Sequence, residues 1–367
     1  MKILLSAKQR GSTNALAPVA YELIRRGHSV TIYATGNDSE VAGFRNLDIN
    51  RAGVNEDHCK VLVKGYDTVI VGLSGFNTPD GYFLRAANKE KIPTIAIQDQ
   101  NGAYQDRLGT NPVDLPTILA VMDEDCRETA RKELGDEAAK RCRVFGWTAF
   151  DNYAQLREEF TEKRREELLN KLGLNPEELV YFHATQNIHP NSTYIRHSIS
   201  SESKKFKDFF YECKVTQFTF EAASDLGIKL IIKPHPGEEF EQNFTKKLTL
   251  KHGFTYLRSK FCNTQELMLA SYSVTAGRST CLTEATLLNK NTGAILPDII
   301  GKEWSSASPV ITLNAIPVTY HWNGIRDILE RVTTLDETVQ QRLAEDRKRF
   351  SVDGKASQRV VDLIEEL

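Results

Sequence analysis

Apolar residues in this chain come as short runs set between longer amphipathic stretches, and the two kinds of segment alternate from end to end. Lys2–Ser6 reads as a strand apolar on both faces, Ala7–Asn14 as a polar loop, and Leu16–Arg26 as a helix with Asn14 as its cap and Gly27 as its stop. Strand Ser29–Ala34 follows directly. A strand buried on both faces, then a covering helix, then another strand is the order a parallel sheet requires. Thr68–Gly72 and Thr94–Gln98 bracket a helix predicted over Gly81–Lys91, Ile118–Met122 precedes a helix over Glu124–Leu134, and Arg143–Phe145 closes the series. The charged stretch Asn152–Leu172 predicts one long helix ending at Gly173. A second series then gives strands Leu179–His183, Lys229–Lys233, Thr255–Leu257, Ser273–Ala276 and Thr292–Leu296, with a long helix ending near Leu226-Gly227. Helices over Thr334–Lys348 and Lys355–Leu367 end the chain.

This pattern predicts an α/β protein of two Rossmann-like domains facing across a cleft, 1–165 on the acceptor side and 166–351 on the nucleotide side, with helix 352–367 packing back on the first. The length of 367 residues agrees, because single cores stop growing near ~250–300 residues. Lys plus Arg number 47 against 49 for Asp plus Glu, so the outer field is weak and mixed, which argues against nucleic acid as a partner. The six cysteines (Cys59, Cys126, Cys142, Cys213, Cys262, Cys281) form no Cys-x-x-Cys pair and read as reduced thiols in cytoplasm. Ile3-Leu4-Leu5 is too short for a signal-peptide core, and no segment reaches the ~18 apolar residues that span a bilayer. Lys204, Lys205, Lys207 and Lys214 form either a solvated helix face or a peripheral contact with a membrane surface.

Open α/β sheets bind ligands outside the carboxyl ends of their strands, so the loops there are the candidates for chemistry. Gly11, Ser12 and Thr13 lie in the loop after the first strand, ahead of a helix start where free amides and the dipole attract an acceptor or phosphate; the alternative is a capped polar loop. One glycine there does not make the Gly-x-Gly-x-x-Gly dinucleotide fingerprint, and no bound cofactor is expected. In Pro234-His235-Pro236 two prolines hold an imidazole at a strand end, either for a phosphate or sugar oxygen or as a rigid local turn. Gly277, Arg278, Ser279 and Thr280 open another helix with an amide, hydroxyl and guanidinium set suited to a pyrophosphate, and Glu284 one turn on can accept from sugar hydroxyls; the alternative is an ordinary helix cap.

Phe145-Gly146-Trp147-Thr148-Ala149-Phe150-Asp151, Lys233-Pro234-His235-Pro236, and Gly277 to Glu284 before Ala285, in this order, resemble the GT-B glycosyltransferase superfamily over most of the chain. The second lobe is similar to UDP-N-acetylglucosamine 2-epimerases, and Lys-Pro-His-Pro also resembles CDP-glycerol glycerophosphotransferases and bacterial capsule or sialic-acid transferases. The resemblance implies a nucleotide-sugar donor, UDP- or CMP/CDP-linked, held by the second lobe with His235 at its phosphates and Glu284 at a ribose or sugar hydroxyl. The first lobe then takes a glycan, lipid-linked or small-molecule acceptor. Gln98-Asp99-Gln100-Asn101 stands where the epimerases carry a His-x-Glu-Ala-Gly-Leu-Arg type segment, and the paired glycines of many GT-B enzymes are absent after the first strand.

Glycosyl transfer needs a base for the acceptor hydroxyl and charge stabilisation for the departing diphosphate. Asp99 is the candidate base and Asp80 beside Pro79 a second; an Asx turn is the structural alternative at Asp99. Gln186, in Ala184-Thr185-Gln186-Asn187, is expected to face the donor, with a structural loop as the alternative, and His183, His189 and His197, whose spacing fits no zinc pattern, are expected to make polar contact with donor or acceptor. Asp123-Glu124-Asp125 could be a carboxylate pair holding a divalent ion on a diphosphate, but is read as a helix cap with an acidic first turn, and no metal site is expected. The expected activity is metal-independent glycosyl transfer in polysaccharide biosynthesis, with a sugar-nucleotide epimerase or hydrolase, or a non-catalytic sugar-nucleotide-binding protein, as the alternatives.

Overall fold

Both strand series form parallel sheets, and the order of the strands decides which loops meet. The computed structural model describes residues 1–38, 41–44, 47–99, 102–185, 204–234, 244–257, 263–277, 279–297, 315–334 and 336–367, of which 42 and 204–212 by their backbone only. The first half runs β1 (Lys2–Ala7), α1 (Arg10–Arg25), β2 (Ser29–Ala34), α2 (Glu56–Leu62), β3 (Thr68–Gly72), α3 (Pro79–Lys89), β4 (Thr94–Ile97), α4 (Tyr104–Leu108), β5 (Ile118–Val121), α5 (Glu124–Leu134), α6 (Asp136–Arg141), β6 (Cys142–Val144), α7 (Asp151–Glu159) and α8 (Glu162–Lys171). The second runs β7 (Val180–Ala184), α9 (Lys204–Asp225), β8 (Lys229–Lys233), α10 (Phe244–Lys251), β9 (Thr255–Tyr256), α11 (Thr264–Ala270), β10 (Ser273–Ala276), α12 (Thr280–Leu287), β11 (Asn291–Ile295), β12 (Val318–Thr319), α13 (Gly324–Val332), α14 (Glu337–Arg349) and α15 (Ala356–Glu365). The sheets are β2-β1-β3-β4-β5-β6 and β12-β11-β10-β7-β8-β9. Met1–Gln155 with Lys348–Leu367 form one compact unit and Leu156–Arg347 the other.

Two sequence expectations are corrected here. Helix α1 begins at Arg10, so Gly11, Ser12 and Thr13 are its first turn instead of a loop, and Asn14 lies inside it. The start is not set by a local cap, because the Gln9 side chain makes no cap bond; the Lys8 and Gln9 amides instead donate to Ser74 Oγ, 3.2 Å each, from a different strand end. The single helix expected over Asn152–Leu172 is two, since Thr161 Oγ1 accepts from the Arg164 amide at 3.3 Å and starts α8 afresh. Short α4 and the strongly amphipathic α13, with Ile325, Ile328, Leu329 and Val332 buried, were not anticipated.

In the first unit, α1 lays Ala15, Leu16, Val19, Ala20 and Leu23 on Ile3, Leu5, Ile70 and Ile95 of the sheet. Helix α15 joins that core through Val360, Val361 and Ile364, each 0% exposed; burying a side chain of this size stabilises by about 1.5–3 kcal/mol. The Phe145 to Asp151 segment docks it. Arg359 donates to Phe145 O at 2.9 and 2.6 Å, and Asp151 accepts from the Ala356 and Ser357 amides at 2.9 and 2.7 Å, capping a helix whose own Lys355 supplies no side-chain cap. Gly146 has φ +88, and a Cβ there would lie 3.1 Å from Phe350 O. Trp147 packs against Phe150 with tilted rings, centroids 4.2 Å apart, and Thr148 donates to Ala15 O at 2.7 Å.

The second unit is built around Phe220, Leu230, Ile232, Ile295 and the apolar face of α13. Gly293 lets α13 approach, since a Cβ on it would meet Ile328 Cγ2 at 2.6 Å.

Candidate functional site

In both sheets the first strand of the series lies next to a later one with the order reversing there: β1 meets β3, and β7 meets β10. Such a switch point parts the flanking connections and leaves a crevice at the strand ends. In the second sheet the register sets Ala276, Ala184 and Lys233 side by side. The segments beginning at Gly277, Thr185 and Pro234 therefore leave one sheet edge at adjacent strands, about 4.8 Å apart.

The first unit carries a connected polar cluster at its switch point. Ser6, the one hydroxyl in β1, donates to Asp80 Oδ1 at 2.8 Å. Asp80 stands in the first turn of α3 and its Oδ2 accepts from the Ser74 amide at 3.2 Å. Ser12 Oγ lies 3.0 Å from Ser74 Oγ and donates to Asp99 Oδ2 at 3.2 Å. Arg107 of α4 donates to Asp99 Oδ1 at 2.5 Å, its side chain 10% exposed and that of Asp99 6%. Close backbone approach makes this possible: a Cβ on Gly11 would fall 2.4 Å from Asp99 Oδ2, and one on Gly72 would fall 2.4 Å from Ser12 Cβ.

Two carboxylates in this cluster live in different environments. Asp80 is 1% exposed, and burial pushes its carboxyl up to about 7 against the smaller opposing effect of the Ser74 and Ser6 hydrogen bonds, with the Asp99 charge adding to the rise. Desolvation disfavours the ionised form when donors are neutral, so Asp80 holds its proton into the neutral range. Asp99 faces a guanidinium and a hydroxyl. A carboxyl that keeps its proton and a second aspartate paired with a guanidinium thus stand in one hydrogen-bonded cluster, and groups in such unlike environments are what acid–base chemistry uses.

Asp99, Asp80 and Ser12 are brought together, the Asp99 oxygens accepting from Ser12 and Arg107. Thr13 is buried and donates back to Arg10 O at 3.0 Å, while Gly11 serves through its missing side chain. Ser6, Ser74 and Arg107 were missed. Ser6 left a trace as a lone hydroxyl in an apolar strand, whereas nothing local marks Arg107.

In the second unit Gly277 is buried at the end of β10, Ser279 caps α12 through the Cys281 amide at 3.2 Å, and Thr280 is exposed on the first turn. Glu284, half-buried, accepts from Gln265 of α11 at 3.2 Å. Lys233 donates to Thr264 Oγ1 at 2.6 Å, so the start of α11 joins the same strand-end face. His183 lies inside β7, 3% exposed, its Nδ1 3.0 Å from Thr275 Oγ1, and burial brings it down to about 4. It is a neutral core histidine edge-on to Phe220 at 5.9 Å. Gln186, His189, His197, His235 and Arg278 lie outside the described residues.

Asp123 caps α5 through the Cys126 amide at 2.8 Å and has Arg349 at 3.2 Å, with Asp125 on the same guanidinium. Among the described residues no helix is long and apolar enough to cross a membrane.

No protein-family model matches the sequence, and no curated protein matches it. Solved structures match over nearly all of it. UDP-GlcNAc 2-epimerase from Neisseria meningitidis, bound to UDP-GlcNAc, is 15% identical with 100% of each chain covered and a TM-score of 0.67. S. aureus MnaA, solved with UDP, is 14% identical over 99% of this chain and 96% of that one, TM-score 0.65. The wall teichoic acid polymerase TagF, a variant soaked with CDPG, is 15% identical over 99% of this chain and 88% of that one, TM-score 0.60. Two parallel six-stranded α/β sheets in one chain, matched end to end by these enzymes, give this protein the GT-B fold.

Proposed function

We propose that the protein is an enzyme acting on a nucleotide-activated sugar or polyol, transferring the activated group to an acceptor hydroxyl without an essential metal. The carrying observation is the buried cluster of Asp80, Asp99, Arg107 and three serines at the first switch point, a polar investment that a purely structural crossover does not need. In this reading the second unit holds the nucleotide: Gly277, Ser279, Thr280 and the start of α12 meet the diphosphate, Glu284 meets a ribose or sugar hydroxyl, and His235, Arg278 and Gln186 complete the set. Asp99 takes the proton of the attacking hydroxyl. Neighbours in complex with UDP-GlcNAc, UDP and CDPG support the ligand class.

A second reading, a sugar-nucleotide 2-epimerase, is favoured by the two carboxylates, since epimerisation asks for acid–base groups beside the sugar. Product analysis separates the two: an epimerase converts its sugar nucleotide with no acceptor present, and a transferase does not. A thermal-shift screen of UDP-, CMP-, CDP-, GDP- and dTDP-linked compounds tests both, because a ligand at ~100 times its dissociation constant adds about 2.7 kcal/mol. Absence of any stabiliser in that panel would sink the ligand class, and full activity in both Asp99→Asn and Glu284→Ala would sink the residue roles.

A further inference from the structure

We infer that Glu133, on the outer helix α5, is a positioning residue for the Arg107–Asp99 pair; this rests on the reading of Asp99 as the reacting carboxylate. Helix α4, which carries Arg107, has five residues and no stability of its own, because a turn that short does not recover the cost of helix nucleation. It also starts from a strained backbone: Gly102 at φ +79 is followed by Ala103 at φ +58, a conformation that costs a side-chain-bearing residue about 1–2 kcal/mol. Something else must hold it.

Glu133 does so from a neighbouring element. Its carboxylate accepts from the Ala103 amide at 3.2 Å and the Tyr104 amide at 2.6 Å, and its carbonyl accepts from Gln105 Nε2 at 2.5 Å. A carboxylate on the free amides of a helix start makes charge-assisted bonds along the favourable direction of the dipole. Tyr104, fully buried, donates to Cys126 O at 3.2 Å and accepts from Gln98, the residue just before Asp99. Arg107 follows Tyr104 by three residues and so lies on the neighbouring helix face. One rigid base, α5, thus sets both the guanidinium and the strand end that bears the carboxylate. Without Arg107, Ser12 at 3.2 Å is the side-chain donor that remains on Asp99 among the described residues.

The test compares Glu133→Ala, Glu133→Gln, Arg107→Ala, Asp99→Asn and the Glu133→Ala, Arg107→Ala double variant, using the sugar nucleotide that the screen identifies as substrate. Glu133→Ala is expected to lower kcat roughly 10²-fold, the effect of about 1 Å of misplacement, with KM little changed. The double variant should lose no more than Arg107→Ala alone, and Glu133→Gln, which keeps one accepting oxygen, should fall between. Side-chain nitrogen spectra of arginine-labelled protein supply a readout independent of turnover: the slowly exchanging Arg107 guanidinium signal, assigned by its absence in Arg107→Ala, should be lost in Glu133→Ala and kept in Glu133→Gln. Wild-type kcat and an unchanged Arg107 signal in Glu133→Ala, while Arg107→Ala and Asp99→Asn are impaired, overturn the positioning role alone. Wild-type turnover in Arg107→Ala and Asp99→Asn overturns the site assignment and this inference with it.

Discussion

Gly11→Ala sets two effects of opposite sign against each other. Gly11 is a helical residue in the first turn of α1, and exchanging glycine for alanine inside a helix ordinarily stabilises by roughly 0.5–1 kcal/mol. Here the added Cβ would lie 2.4 Å from Asp99 Oδ2 and 3.2 Å from its Cγ. Asp99 cannot yield cheaply, since Arg107 and Ser12 hold its two oxygens. Overpacking of that kind costs about 1–3 kcal/mol, so the substitution should destabilise by about 1–2 kcal/mol net. In an Asp99→Ala, Arg107→Leu background the obstruction is gone, and no buried cation is left behind to confuse the comparison. The same Gly11→Ala change should then stabilise by about 0.5–1 kcal/mol, a coupling of roughly 2 kcal/mol between positions eighty-eight residues apart in sequence. Urea denaturation of the four proteins, read as midpoint and slope, measures it. An equal destabilisation in both backgrounds would refute the contact as the cause.

The pH dependence of stability should show two groups acting in opposite directions. Asp80, raised from 3.8 to about 7, binds its proton more tightly folded than unfolded, so its stabilisation is complete below pH 4 and lost on rising through pH 7, about 4 kcal/mol in all. His183, lowered from 6.5 to about 4, gives stability that is complete above pH 6.5 and lost on falling through pH 4, about 3 kcal/mol. Between pH 4 and 6.5 the two slopes cancel; Asp80→Asn should make stability rise with pH there and His183→Gln should make it fall, and flat profiles in both variants would contradict the burial argument. Asp151→Ala removes the cap on α15 and should lower stability by about 1–2 kcal/mol, with faster proteolysis after Phe350 as the check. Gly293→Ala should cost about 1–3 kcal/mol by forcing α13 outward, measured by thermal melting, and a neutral result would mean that Ile328 and Val332 repack freely.

What the chain determined by itself was the order and type of its elements. Doubly apolar runs such as Ile3-Leu4-Leu5 and Val69-Ile70-Val71 leave no polar face for solvent, so they demand helices on both sides and a parallel sheet, and the long charged stretch over Asn152–Leu172 separates the two strand series. Strand ends could be named from that order, and Asp99 with them. Which strand ends meet was decided only by tertiary structure, because the reversal at β1 and β3 joins Ser6, Ser12, Ser74, Asp80 and Asp99 across up to 93 positions of chain. The start of α1 was illegible for the same reason: the amides before it are satisfied by Ser74, not by a neighbour in sequence. Arg107 and Glu133 were invisible, since a short helix with no cap of its own exists only where another helix supplies the carboxylate. Periodicity reports what each segment must bury, a local property; a polar site is made of groups whose desolvation is tolerable only together, and that is a property of the fold.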